Sequence, residues 1–185
     1  MTDVLAPVHR WTRQQYDDMV LNEIFRPGER VELIEGVIID MSPQKSRHAT
    51  AIYLVEERLR EAFKSGHIVR AQMPLALDDH SEPEPDVAVV PGQARDYTQA
   101  HPTTAALVVE VSDATLRLDR QTKQAVYARN GVTEYWIVNL QDHHLEVYRD
   151  PQGDQYRSRI VLPPGEQVAP LARPDHLITV ADLLP

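Results

Sequence analysis

Ala105-Ala106-Leu107-Val108-Val109-Glu110-Val111-Ser112 is an apolar run that carries a single acid near its end. A continuous run of this kind, with no polar alternation, marks a central strand covered on both faces. Upstream, Pro85-Asp86 opens a second such run, Val87-Ala88-Val89-Val90. Downstream, Ser112-Asp113-Ala114-Thr115 leads to a helical segment from Asp119 to Asn130, closed by Gly131. A further strand follows at Glu134-Tyr135-Trp136-Ile137-Val138. A helix between two buried strands reads as a β–helix–β crossover. The fold class is therefore α/β, with a mixed central sheet flanked by helices.

The rest of the chain is support for this centre. Residues 1–11 read as a loose arm. Thr12 with Gln15 fits a capping box that opens a helix, stopped at Arg26-Pro27-Gly28. Val31-Glu32-Leu33-Ile34 and Val37-Ile38-Ile39-Asp40-Met41 flank Glu35-Gly36 as a hairpin. Glu32, on the same side as Ile34, needs a partner or a sheet edge. Ser46 reads as the N-cap of a helix whose apolar face is Ile52, Val55, Leu59 and Ala62 or Phe63, with Gly66 at its end. His67 to Leu77 is strand-like, and a stiff acidic loop, Asp78 to Pro85, follows. After the crossover, His144–Tyr148 and Tyr156–Leu162 read as antiparallel C-terminal strands, and Leu177–Val180 as a short last one. No linker divides the chain, so 1–185 reads as one domain.

Composition narrows the function. Charged residues make up 25% and hydrophobic residues 42%, the balance of a globular protein, and no apolar run approaches a membrane span. There is no cysteine, which excludes disulfides, thiolate zinc sites and cysteine nucleophiles. Met1 to Arg10 has no apolar signal core, and with the missing cysteines this points to a cytoplasmic protein. The net charge of −9 argues against a general nucleic-acid coat, but not against an enzyme whose acids hold a cation. The eight histidines have no zinc-site spacing.

Two acids at adjacent strand ends, with a lysine on the next element, is what metal-dependent phosphodiester hydrolysis needs. A Mg²⁺ ion takes hard oxygen ligands, keeps several waters, and both stabilises charge on phosphate oxygens and supplies hydroxide. Asp86 and Glu110 are the candidate ligands. Ser112 stands two residues beyond Glu110 on the same face, where a lysine would point at the same ion; Lys123, from the following helix, is its candidate replacement. His48, in the first turn of its helix, is a candidate phosphate contact. Asp119 reads as an N-cap, and Tyr127 and Trp136 as core. Lys45, Arg47, Arg117, Arg120, Lys123 and Arg129 read equally as a local positive groove or as solvated surface.

These residues resemble a known family. Pro85-Asp86, Glu110 in Val-Val-Glu-Val-Ser, Asp119…Lys123…Tyr127 and Gly131-Val132-Thr133-Glu134-Tyr135-Trp136-Ile137-Val138 are similar to the Uma-type restriction endonucleases of the PD-(D/E)XK nuclease superfamily. The resemblance runs from about Thr12 onward. It implies a restriction-endonuclease-like fold, a divalent cation (Mg²⁺, with Mn²⁺ as an alternative) and a site of Glu32, Asp86, Glu110 and Lys123, with Glu32 a third metal ligand. The expectation is an endonuclease acting on DNA as a homodimer. The competing expectations are a non-catalytic dimeric binding module that keeps the fold, and a nuclease for RNA or branched DNA.

Overall fold

The computed structural model describes residues 8–185. The part of the loose arm over 1–7 lies outside the described residues. Residues 8–11 are tied down: Trp11 N–H donates to Gly36 O at 2.9 Å, and Arg10 donates to Glu35 O.

A six-stranded sheet forms the centre, in the order β3 (His67–Ala71), β4 (Val87–Pro91), β5 (Leu107–Ser112), β6 (Glu134–Asn139), β7 (His144–Gln152), β8 (Gln155–Leu162). All neighbours are antiparallel except β5 and β6, which are parallel. The parallel pair is the predicted crossover. Its connection is helical in three continuous pieces: α3 (Leu116–Leu118), a π-helical turn (Asp119–Lys123) and α4 (Gln124–Arg129).

Side-chain alternation divides the core into two layers. Val87, Val89, Leu107, Val109, Val111, Trp136 and Val138 face α2 (Ser46–Ala62), packing against Ile52, Val55 and Leu59. Ala88, Val90, Val108, Tyr135 and Ile137 face the opposite way, with Tyr127, Tyr148 and Tyr156. Glu110 shares the parity of Val108, so it points to the α4 side.

The hairpin β1 (Val31–Ile34) and β2 (Val37–Asp40) is a separate two-stranded sheet turned by Glu35 and Gly36 at φ 50° and 74°. Two left-handed residues in a two-residue loop match the right-handed twist of the strands. Leu33 and Glu82 exchange backbone hydrogen bonds, which fixes the hairpin to the acidic loop. Near the C-terminus, β9 (Gln167–Val168) pairs with β10 (Ile178–Thr179), ahead of a 3₁₀ turn.

Several boundaries differ from expectation. Helix α1 (Arg13–Leu21) has the capping box of Thr12 and Gln15, but ends before Arg26-Pro27-Gly28, because Asn22 caps it and Glu23 turns left-handed at φ 54°. β3 stops at Ala71 because Gln72 has φ 52°, so 72–77 leaves the sheet. Lys45, not Ser46, is the N-cap of α2, and it makes no side-chain capping bond. Asp119 is not an N-cap: it lies inside the helical segment, buried, and accepts from the Thr115 hydroxyl at 2.7 Å.

Candidate active site

The antiparallel register of β4 and β5 pairs Val87 with Val109, so Asp86 at the start of one strand sits beside Glu110 near the end of the other. Two hydrogen bonds lock them together. Val111 N–H donates to Asp86 Oδ2 at 2.8 Å, and Asp86 N–H donates to Glu110 Oε2 at 3.3 Å. The hairpin carries Glu32 to the same place, where Glu84 N–H holds its Oε2 at 3.1 Å. Lys123 reaches in from the π-helical turn, with Nζ 3.0 Å from both Glu32 Oε1 and Glu110 Oε1. The four residues line one cleft, with Asp119, Thr115 and His48.

Its electrostatics follow from burial. Glu110 is 3% exposed, and burial, only partly offset by Lys123, pushes its carboxyl up to about 8. Burial by itself would lower Lys123, but Glu110, Glu32, Asp119 and Asp86 outweigh it and hold the ammonium above the usual lysine range. Asp119 is also raised, chiefly by burial. Four carboxylates thus surround one fixed ammonium and one imidazole. A cation entering the cleft would favour the ionised forms of Glu110 and Asp119, and the four acids would then outnumber the two basic groups.

The donor set suits a hard one. Asp86 Oδ1 has no hydrogen-bond partner among the described residues, and carboxylate oxygens dominate the cleft, beside the His48 imidazole and the Met41 thioether. Magnesium needs one or two carboxylates and completes its shell with water. Among the described residues no three His, Cys, Asp or Glu side chains converge as a ready-made metal cage. The reason is local: the Lys123 ammonium occupies the space between Glu32 and Glu110.

His48 is turned toward the protein. Its Nε2 lies 2.8 Å from Val111 O and 3.4 Å from Asp86 Oδ2, and the hydrogen bond to Asp86 raises its pKa. Of the six basic residues, Arg47 and Arg117 are not paired with acids among the described residues: Arg47 donates to Leu140 O and Arg117 to Gln121 Oε1. Lys45, Arg120, Lys123 and Arg129 all pair with acids, and Arg129 is drawn to Glu35 and Asp154. Ser112 is fully buried on the Glu110 face, and its Oγ has no partner among the described residues.

Sequence reasoning missed three contributors. Tyr127 is core, but its hydroxyl also donates to Glu110 Oε1 at 2.7 Å. Asp119 lines the cleft. Glu84 supplies the amide that orients Glu32. The spacing of Asp119, Lys123 and Tyr127 places them on one stripe, which was the available signal; the backbone amide had none.

The sequence profile of the Uma2 family, described as "Putative restriction endonuclease", matches residues 13–181. Among solved structures, the chain is similar to a protein from Anabaena variabilis ATCC 29413 described as a putative nuclease belonging to DUF820. The two share 16% sequence identity at a TM-score of 0.70, covering 88% of this chain and 94% of the other. No curated protein matches the chain.

Proposed function

The chain belongs to the Uma2 restriction-endonuclease family, and from that membership we propose that it is a Mg²⁺-dependent endonuclease that hydrolyses DNA phosphodiester bonds at the cleft between Asp86, Glu110 and Lys123. The observation that carries this reading is the single ammonium of Lys123 at 3.0 Å from both Glu32 and Glu110, beside the half-free carboxylate of Asp86.

In this reading Asp86 and Glu110 would hold the metal, with Mn²⁺ as a substitute for Mg²⁺. An ion held there would supply Lewis acidity and make a nearby water more acidic. Glu32, which like Glu110 also accepts from Lys123 Nζ, would be a third ligand, directly or through water. Lys123 stays protonated, so it is not a general base. It donates hydrogen bonds to the attacking water or to a phosphate oxygen and offsets the charge that develops there. Tyr127 and the Val111 amide keep the two metal-binding carboxylates from rotating. His48 steadies Asp86 and borders the place where a phosphate oxygen would lie. Cutting both strands of a duplex together would engage two copies of the chain, as a homodimer; one copy alone would cut one strand.

Plasmid cleavage in Mg²⁺ is the direct test. Glu110→Ala and Lys123→Ala are expected to abolish it, and mutants as active as wild type would sink the assignment. A second reading, a non-catalytic dimeric binding module, draws on the same ion pairs: Lys123 already satisfies both glutamates without a metal. Calorimetry separates the two. A Mg²⁺ or Mn²⁺ isotherm lost in Asp86→Ala supports the nuclease, and no isotherm in wild type supports the module. A panel of duplex, branched DNA and RNA substrates addresses the remaining alternative.

A further inference from the structure

We propose that the cavity beside the cleft is a nucleoside subsite and that the nucleotide it holds is unpaired. This rests on the nuclease reading above and names the form of nucleic acid that the site accepts. The cleft itself offers about 90 Å³. A water molecule claims about 30 Å³ of liquid volume, so there is room for a phosphate-sized group but not for a sugar and base. Next to it, the loops 42–45 and 113–115 border a half-open hollow of about 340 Å³, within the size range of small-molecule sites. The two spaces share Ser42, Gln44, His48 and Thr115 in their walls. A phosphodiester seated against Asp86 and Glu110 carries a nucleoside on each side, and the shared wall is where one of them can lie.

The cavity has the chemistry for it. Pro43 and Ala114 offer small apolar surfaces to the flat face of a base. The Gln44 amide provides both donors and an acceptor for a base edge. Lys45 Nζ and Asp113 Oδ2, 3.4 Å apart at the rim, add a donor and an acceptor. The Lys45 side chain is 75% exposed, and an exposed pair of this kind contributes little stability, so exchanging it for contacts to a ligand costs little.

An unpaired nucleotide fits better than a duplex for two reasons. A base whose face and edge are both taken up by these loops has no edge left for a complementary base. In addition, the net charge is −9, with 28 acids against 19 basic residues, and such a balance suits one phosphate backbone better than the two that a duplex brings. Recognition then falls on the base, as in single-strand binding.

Titrating thymidine 5′-monophosphate into the isotopically labelled full chain, without divalent ions, tests the cavity. The amides of Gln44, Lys45, Asp113, Ala114 and Thr115 are expected to shift. Ala114→Trp fills the space from its exposed wall and is expected to weaken binding about tenfold, the effect of losing one base-stacking contact. Gln44→Ala, a smaller change, is expected to weaken it several-fold and serves if the tryptophan variant does not fold. In parallel, fluorescence anisotropy compares a short single strand with its duplex, and the single strand is expected to bind about tenfold more tightly. No shift at these loops, binding indifferent to both substitutions, or a duplex bound as tightly as the single strand would overturn the proposal. Nucleotide binding in a protein that cleaves nothing keeps the cavity and removes the nuclease reading. Cleavage with an indifferent cavity does the reverse.

Discussion

Lys123 is the residue on which the site balances. It is 5% exposed, and the carboxylates that act on it are Glu110, Glu32, Asp119 and Asp86, from four segments of the chain. An ion pair this deep contributes less to net stability than its Coulomb energy implies, but removing one partner strands the others. Lys123→Met is therefore expected to cost about 3 kcal/mol in urea unfolding at neutral pH without divalent ions, a loss limited by proton uptake on Glu110. Tyr127→Phe removes only the hydroxyl that donates to Glu110 Oε1 and is expected to cost about 2 kcal/mol. If the tyrosine change proves the more damaging, Lys123 is not the centre of the charge balance. At this scale the sequence was partly legible. Asp86 and Glu110 stand out because an acid in an apolar strand needs a reason. Asp119 read as a cap because the π-helical turn that buries it leaves no periodic trace.

Two elements place the site, and each has a weak point that can be measured. The hairpin β1–β2 brings Glu32 inward through its tight turn. At Gly36, φ is 74° and an added Cβ would lie 2.7 Å from Arg10 Cβ and 3.0 Å from Trp11 O. Gly36→Ala is expected to destabilise the chain by about 1–3 kcal/mol, read as a lower urea midpoint with an unchanged m-value. The π-helical turn is held from its other side by Glu146, which is fully buried and accepts from Arg120, Arg159 and Tyr148. These partners, against the opposing effect of burial, lower its carboxyl to about 2. A depressed folded pKa gives stability that is present above the unfolded value of about 4.5 and lost as pH falls toward about 2. Unfolding free energy is expected to drop by about 2–3 kcal/mol across that window, and Glu146→Gln to flatten the drop. An equally steep acid limb in the variant would assign it to other groups. The hairpin and the strands were legible from turn chemistry and apolar runs. The short β3 was not, because its end depends on a left-handed Gln72 that propensity does not foresee.

On the scale of the whole molecule, the sheet is a platform with the cleft at the junction of β4, β5 and the hairpin, and the charge on that platform decides what can approach. Sequence alone offered six basic residues as a groove, but a list of charges says nothing about their partners, and most have been claimed by nearby acids. A chain with a net charge of −9 and a single candidate cleft among the described residues is poorly equipped to grip both strands at once. Supercoiled plasmid contains transiently unpaired stretches, so a single-site enzyme that takes an unpaired nucleotide cuts one strand there and dissociates. Nicked circles are then expected to accumulate before linear product, at an initial rate proportional to protein concentration, in an agarose time course with Mg²⁺. A dimer that cuts both strands together gives linear product without a nicked intermediate, and its rate rises more steeply than linearly at low protein concentration. The shape of that time course distinguishes one site acting alone from the paired sites that duplex cleavage requires.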